Sequence, residues 1–224
     1  VPGARCPAFG VQCSELGTRY SVLGTRVGSY RDGMPPVVLV NAVGLTPRLL
    51  AHAPRLSAVA AAGWSIPLQE VTPAVTCSAQ ATLLTGELPS RHGVVANGWL
   101  FRDTTEVRFW QQSNRLVQAE PVYATARKRA AERGRAFKSA KLFWWFNQGA
   151  AVDVSVTPKP WYGVDGNKVF GITGTPDALP PSLERDLGAF PFQTFWGPMA
   201  GLPCTTWIAR AAARVLDAET TDLS

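Results

Sequence analysis

The sequence predicts an α/β fold with a mostly parallel sheet, and three of its features lead to that prediction. Of the 224 residues, 46% are hydrophobic, which is enough to build a sizeable core. Residues 37–40 (VVLV) form a continuous apolar run rich in β-branched side chains, which is typical of a strand buried on both faces. Further strand candidates alternate along the chain with helical segments, the order that places strands side by side in parallel.

Prolines and glycines mark the ends of the predicted helices. Pro47 and Pro54 each lie in the first turn of a short helical segment, and Gly63 ends the second of them. Apolar residues at helical spacing continue between these markers. The longer predicted helices cover residues 77–85, 121–133 and 204–218, and Gly86 and Gly134 end the first two.

The remaining predicted elements are strands and loops. Residues 65–71 and 137–146 are the other strand candidates. Residues 158–203 are rich in proline, glycine and aromatic side chains, so we expect a long excursion without regular structure. Residues 1–36 are aperiodic and rich in glycine and proline, which predicts a flexible arm or, because the first methionine is Met34, a spurious extension upstream of the folded domain over 37–224.

Charge and composition exclude several classes of protein. The chain has 22 Lys and Arg against 16 Asp and Glu, and residues 127–138 alone carry six basic residues and one acidic residue. This basic run fits either a solvated helix end or a contact with a phosphate-rich partner. The sequence contains no apolar stretch long enough to cross a membrane and no signal peptide, so we expect a cytoplasmic protein. The four scattered cysteines do not form a disulfide scaffold.

Thr76 is the first candidate for chemistry. A strand is predicted to end near residue 71 and a helix to open at residue 77, which puts Thr76 at the helix N-cap. The unpaired N–H groups and the positive end of the helix dipole would stabilise a phosphate or an alkoxide there. A purely structural N-cap is the alternative role, and Cys77 would be either an acidified thiol or a small buried side chain.

The segment that follows Thr76 resembles the alkaline phosphatase superfamily, and within it the nucleotide pyrophosphatase/phosphodiesterase family. In that family a nucleophilic threonine opens a helix that ends in Thr-Gly, and a proline, a His-Gly pair and an asparagine follow. The same order occurs here, without gaps, as Thr76, Thr85-Gly86, Pro89, His92-Gly93 and Asn97. The resemblance extends more loosely over residues 37–224, including LFWWFN at residues 142–147.

The resemblance implies a three-layer α/β/α architecture with a mostly parallel sheet and a metal-dependent hydrolysis of phosphate esters. Two zinc ions would activate the Thr76 hydroxyl, which would attack phosphorus and form a phosphothreonine. Asn97 would donate an amide N–H to a phosphoryl oxygen. The implied substrate is a small phosphorylated molecule, with neither a nucleic-acid polymer nor a membrane as partner.

Two departures from the family pattern weigh against a complete metal site. Val43 stands where the family has a metal-binding aspartate, which leaves the Asn41 amide as a candidate ligand or an ordinary polar group near a strand end. The chain has only two histidines, of which His92 is structural in the family and His52 is expected to be exposed. We therefore expect the N-terminal half of a longer catalytic domain, inactive alone, whose partner is the missing C-terminal half. The alternative is a non-catalytic module that binds a phosphate ester or a protein partner.

Overall fold

A computed structural model describes residues 5–6, 11–12, 37–66, 68 and 70–218 of the chain. The chain divides into two compact units, one formed by Val1–Gln69 with Ala212–Ser224 and the other by Glu70–Ala211. The extension predicted over residues 1–36 and the expected chain end at residues 220–224 lie almost wholly outside the described residues. No helix in the described part is long and apolar enough to cross a membrane.

The first unit contains a pair of two-residue strands and two short helices. Strands β1 (Arg5–Cys6) and β2 (Val11–Gln12) pair antiparallel. Helices α1 (Pro47–Leu50) and α2 (Pro54–Ala62) begin at prolines, as predicted. Neither helix buries a side chain completely.

The predicted strand over residues 37–40 is not formed in this unit, and this prediction was wrong. Val37 makes an isolated bridge, and Val40 is 71% exposed. The described residues of 65–71 also form no strand, and Ile66 is 67% exposed. A parallel strand requires hydrogen-bonded neighbouring strands and other elements that cover both of its faces. Without them an apolar run does not form a stable strand.

The three longer helices predicted for residues 77–85, 121–133 and 204–218 are present, whereas the other two helices of the second unit were not predicted. Helix α3 (Thr76–Thr85) ends at Gly86, whose φ of 69° is the left-handed conformation that glycine adopts freely. The other helices of the unit follow in chain order, and the last of them extends past residue 211. They are α4 (Pro89–His92), α5 (Val122–Glu132), α6 (Leu179–Leu187) and α7 (Leu202–Ala218).

Two small sheets complete the second unit. Strands β3 (Gly98–Phe101) and β4 (Glu106–Phe109) form an antiparallel hairpin. In the other sheet β5 (Ala140–Leu142) is parallel to β6 (Val154–Tyr162), which is antiparallel to β7 (Lys168–Thr175). The protein is thus a mixed α/β protein, but among the described strands only β5 and β6 pair in parallel.

Two predictions for this sheet were wrong. The strand predicted over 137–146 is only three residues long, because the chain turns into a loop after Leu142. The excursion predicted over 158–203 instead contains the end of β6, all of β7 and α6. Prolines caused the second error, because Pro158 and Pro160 lie within β6 beyond the end of β5, where they cost no hydrogen bond to that strand.

The core of the second unit lies on one face of the three-stranded sheet. Val156 and Ile172 project from this face and pack against Leu183 of α6 and Trp207 of α7. Phe190 fills the space between them, with its ring 5.2 Å from that of Trp207. The opposite face carries Lys141 and, on β6, two buried hydroxyl residues, because side chains alternate along a strand.

Candidate active site

Thr76 is the first residue of α3 and is exposed to solvent. The extended residue before the helix is Val75 (φ −122°, ψ 164°), so the prediction that Thr76 is the N-cap was wrong by one position. The buried Ser78 explains the shift: its hydroxyl donates to the Pro73 carbonyl at 2.5 Å and closes the turn below the helix. The Thr76 hydroxyl therefore takes no part in capping and forms no hydrogen bond with another described residue.

Asn97 provides the cap that Thr76 does not. Its Oδ1 accepts the backbone N–H of Cys77 at 3.0 Å, across 20 residues of sequence. The first turn of a helix has N–H groups without partners inside the helix, and Asn97 satisfies one of them. The amide Nδ2 has no partner among the described residues. Thr76 and Asn97 are thus brought together at the N-terminus of α3, as the resemblance implies.

His92 fixes the turn between these two residues. It is fully buried; its Nδ1 accepts the Val94 N–H at 3.1 Å, and its Nε2 lies 2.9 Å from the Thr82 hydroxyl. Since Nδ1 is an acceptor, the proton is on Nε2, which donates to Thr82. Burial lowers the pKa of His92, so the ring is neutral at pH 7. His92 thereby ties α3 to the segment that leads to Asn97.

Cys77 is a buried side chain and not a reactive one. It is 0% exposed, and burial raises the pKa of its thiol to about 12. A thiol must ionise to act as a nucleophile, so Cys77 stays unreactive near neutral pH. Of the two roles left open by the sequence, the structure supports the small packed side chain. Thr76, by contrast, carries an exposed hydroxyl at this helix end.

The described residues do not fit the zinc ions that the resemblance implies. None of their His, Cys, Asp and Glu side chains form a group of three that would hold a metal ion. Val43, at the position of the expected aspartate, is 82% exposed and has no donor atom. Asn41 is half-buried and His52 is exposed, and both belong to the first unit. Neither is part of a donor cluster within the described part of the chain.

Two buried polar residues, one on α3 and one on β5, were missed by the sequence reasoning. Gln80 is buried, and its Oε1 accepts the Trp145 N–H at 2.6 Å. Lys141 is 3% exposed, and its amine donates to the Phe146 carbonyl at 2.7 Å. The available signal was local: a lysine at the centre of an apolar strand and an amide on the buried face of a helix both need partners. Trp145 itself is buried, with its ring 5.4 Å from that of Trp110.

The second unit is therefore a mixed α/β structure with an exposed hydroxyl and a side-chain amide at the N-terminus of a helix. The sequence model of the family described as type I phosphodiesterase / nucleotide pyrophosphatase matches residues 37–224. The chain belongs to this family, whose members are hydrolases of the phosphodiesterase and pyrophosphatase type and are in general metal-dependent. No curated protein and no solved structure matches the chain.

Proposed function

We propose that the protein hydrolyses a small phosphate ester through Thr76 as nucleophile, with Asn97 binding a phosphoryl oxygen. The single observation that carries this proposal is the 3.0 Å hydrogen bond from the Cys77 N–H to Asn97 Oδ1. It holds the Asn97 amide beside the first residue of α3, which is Thr76. It also uses the oxygen of that amide, so the donating Nδ2 is the group left for a ligand.

The chemistry consists of two displacements at phosphorus. The Thr76 Oγ1 attacks phosphorus and forms the O–P bond while its hydroxyl proton passes to solvent, and the leaving oxygen departs with the electron pair of its P–O bond and takes a proton from solvent. Water then attacks the phosphothreonine and breaks the Oγ1–P bond, which restores the hydroxyl. Asn97 Nδ2 and the N-terminal dipole of α3 stabilise the negative charge on the non-bridging oxygens in both steps.

Metal ions enter the proposal only through the family. Two zinc ions are expected from the resemblance, but the described residues offer no donor set for them, so no step is assigned to a metal. We propose that the ligands belong to polypeptide outside the described residues, as part of a three-layer α/β/α domain of the alkaline phosphatase type. A cytoplasmic location also stays a prediction.

A second candidate function is a non-catalytic module that binds a phosphate ester on the same fold. The observation that favours it is Val43, an exposed apolar side chain where the resemblance implies a metal-binding carboxylate. The anion-binding geometry at α3 serves binding without turnover as well as it serves catalysis.

The experiment that tests the proposal is mass-spectrometric mapping of a trapped phosphoenzyme. The protein expressed from its complete gene is incubated with zinc and a 4-nitrophenyl phosphodiester, quenched in acid and digested. We expect Thr76 to carry the phosphoryl group together with the second ester substituent of the substrate, and no adduct after Thr76→Ala, whereas Thr76→Ser keeps the hydroxyl and is labelled at the same position. Hydrolysis with the label on Ser78 contradicts the assignment. Binding of the ester without any label or hydrolysis supports the binding module.

A further inference from the structure

The 143–147 loop leaves β5 in a strained conformation. Phe143 and Phe146 have φ angles of 59° and 57°, a left-handed region that aromatic residues rarely adopt. Two such residues within one short loop persist only where the surrounding structure holds them in place. The question is therefore which groups hold this loop, and what they connect it to.

Side-chain hydrogen bonds from the sheet side hold the loop. The Phe146 carbonyl accepts the Lys141 amine at 2.7 Å and the Asn114 amide at 3.1 Å. The next side chain, Asn147, donates to the carbonyls of Lys141 and Val156, each at 2.9 Å. The left-handed residue Phe146 is thus fixed through its own carbonyl, and Lys141 makes the shorter of the two bonds to it.

A second set of contacts connects the same loop to α3. Gln80 Oε1 accepts the Trp145 N–H at 2.6 Å. Cys77 and Ala81, one on each side of Gln80 along the helix, belong to the same buried cluster as Trp145 and Phe146. Gln80 follows Thr76 by four residues, so the two lie on one face of α3, one turn apart. The loop therefore contacts the helix directly below the proposed nucleophile.

The Lys141 amine is enclosed without an opposite charge. The Tyr123 ring of α5 is the ionisable group that faces it, with its centre 5.6 Å from Nζ, and no carboxylate of the described residues pairs with it. Burial lowers the pKa of Lys141 to about 7. An amine enclosed in this way is costly unless its hydrogen bond contributes to the structure.

We propose that Lys141 is a positioning residue for the Thr76 site, acting through the Phe146 carbonyl, the 143–147 loop and Gln80 of α3. The inference rests on the proposed function for the meaning of the site, but the coupling itself is a property of the fold. Loss of the amine leaves the Phe146 carbonyl with the Asn114 amide as its remaining side-chain donor, relaxes the loop and loosens its hydrogen bond to Gln80. The first turn of α3, which carries Thr76, then loses part of its support.

Hydrogen exchange of the full chain, followed by mass spectrometry, tests this coupling. For Lys141→Met we expect exchange about fivefold faster in the 143–147 loop and in the first turn of α3, the change that corresponds to one lost hydrogen bond. Lys159→Met is the matched control. Lys159 lies on β6 and projects from the same face of the sheet as Lys141, but it is only half-buried and makes no hydrogen bond to the loop. We expect its exchange in both segments to equal that of the wild type.

A second variant separates coupling from general destabilisation. Gln80→Met removes the acceptor of the Trp145 N–H, and we expect faster exchange in the first turn of α3 while the Lys141 bond stays intact. If Lys141→Met does not fold, Lys141→Leu, which also lacks the amine, takes its place, and Gln80→Met tests the link from the loop to α3. Unchanged exchange at α3 in the variants that fold, or a uniform increase that includes α5 and α7, overturns the proposal.

The pH dependence of the near-UV circular dichroism signal, to which the Trp110–Trp145 ring pair contributes, distinguishes a positioning role from a merely structural one. We expect the wild-type signal to change with a midpoint near pH 7 and the Lys141→Met signal to be flat in that range. A transition near pH 7 that persists in Lys141→Met arises from a group other than Lys141 and contradicts the proposal. Neither readout requires turnover, so an inactive protein contradicts the proposed function without affecting the test of the coupling.

Discussion

Replacing Asn97 by aspartate is expected to stabilise the protein and abolish its reaction. Aspartate keeps the oxygen that accepts the Cys77 N–H at 3.0 Å and adds a negative charge at the N-terminus of α3. A charge of that sign at a helix N-terminus contributes about 0.3–1 kcal/mol. For a chain of this size the melting temperature rises by about 1–4 °C. Turnover moves in the other direction, because the phosphoryl-binding N–H is replaced by an oxygen that repels phosphate.

Asn97→Ala separates the two roles of the side chain. It removes the cap and costs about 1 kcal/mol, so the melting temperature falls by about 2–4 °C. It also removes the amide donor, and we expect turnover to fall by about 100-fold or more, as when one oxyanion-hole donor is lost. The order of stability is then Asn97→Asp above wild type above Asn97→Ala, while both variants lose activity.

Thermal unfolding by circular dichroism and initial rates with a 4-nitrophenyl phosphodiester measure these effects. Gln193→Glu is the charge control, because Gln193 is exposed and lies in a 3-10 turn away from α3. An Asn97→Asp protein that melts as low as Asn97→Ala refutes the capping geometry. An Asn97→Asp protein that keeps wild-type rates refutes the role of the amide in binding phosphate.

Three further predictions follow from individual side chains. Thr76→Ala changes the free energy of unfolding by less than about 0.5 kcal/mol in thermal denaturation, because the exposed hydroxyl caps nothing, although it removes the nucleophile. Cys77, with a thiol pKa of about 12, stays unmodified by iodoacetamide at pH 8 in the folded protein, and alkylation before unfolding contradicts its burial. Lys141 has a pKa of about 7 in the folded state against 10.5 in the unfolded state, so the unfolded state binds more protons between these pH values. We therefore expect the free energy of unfolding, measured by urea titration, to rise by about 2 kcal/mol from pH 7.5 to 9.5. In Lys141→Met we expect it to stay constant over this range.

The sequence predicts those parts of the fold whose signals are local. The predicted ends of helices α3, α5 and α7 lie within two residues of the observed ends. The signals that predict them, apolar spacing and the glycines that end α3 and α5, are local in the sequence. The family resemblance, and no local signal, implies that Thr76 and Asn97 act together, and in the structure His92 holds the segment that joins α3 to Asn97. The sequence indicates that Gln80 and Lys141 need hydrogen-bond partners but does not identify them. Gln80 bonds to a backbone group 65 residues away and Lys141 to one 5 residues away, and backbone groups are the same at every position of the sequence.

Strand β6 shows why the sheet was harder to predict. Pro158 and Pro160 argue against a strand because each lacks a backbone donor. The Val156 carbonyl accepts the Phe143 N–H. The backbone N–H and C=O groups of Val156, and of every second residue after it, therefore point toward the β5 side of the strand. Strand β5 ends at Leu142, which pairs with Val156, and the two prolines therefore lie beyond it along a free edge. The prolines therefore cost no backbone hydrogen bond between β5 and β6. This outcome depends on the length of β5, which the sequence of β6 does not contain.

The two candidate functions share the geometry at α3 and differ in what activates Thr76. A threonine hydroxyl does not ionise near neutral pH, and the half charge of a helix dipole is a small fraction of what two divalent cations supply. The Asn97 amide and the first turn of α3 bind the charge of a phosphate without generating a nucleophile. In the catalytic proposal turnover therefore requires metal-binding carboxylates, and Val43 occupies one position where the family resemblance implies such a residue. The same reasoning makes phosphate binding at α3 independent of zinc, and only cleavage dependent on it.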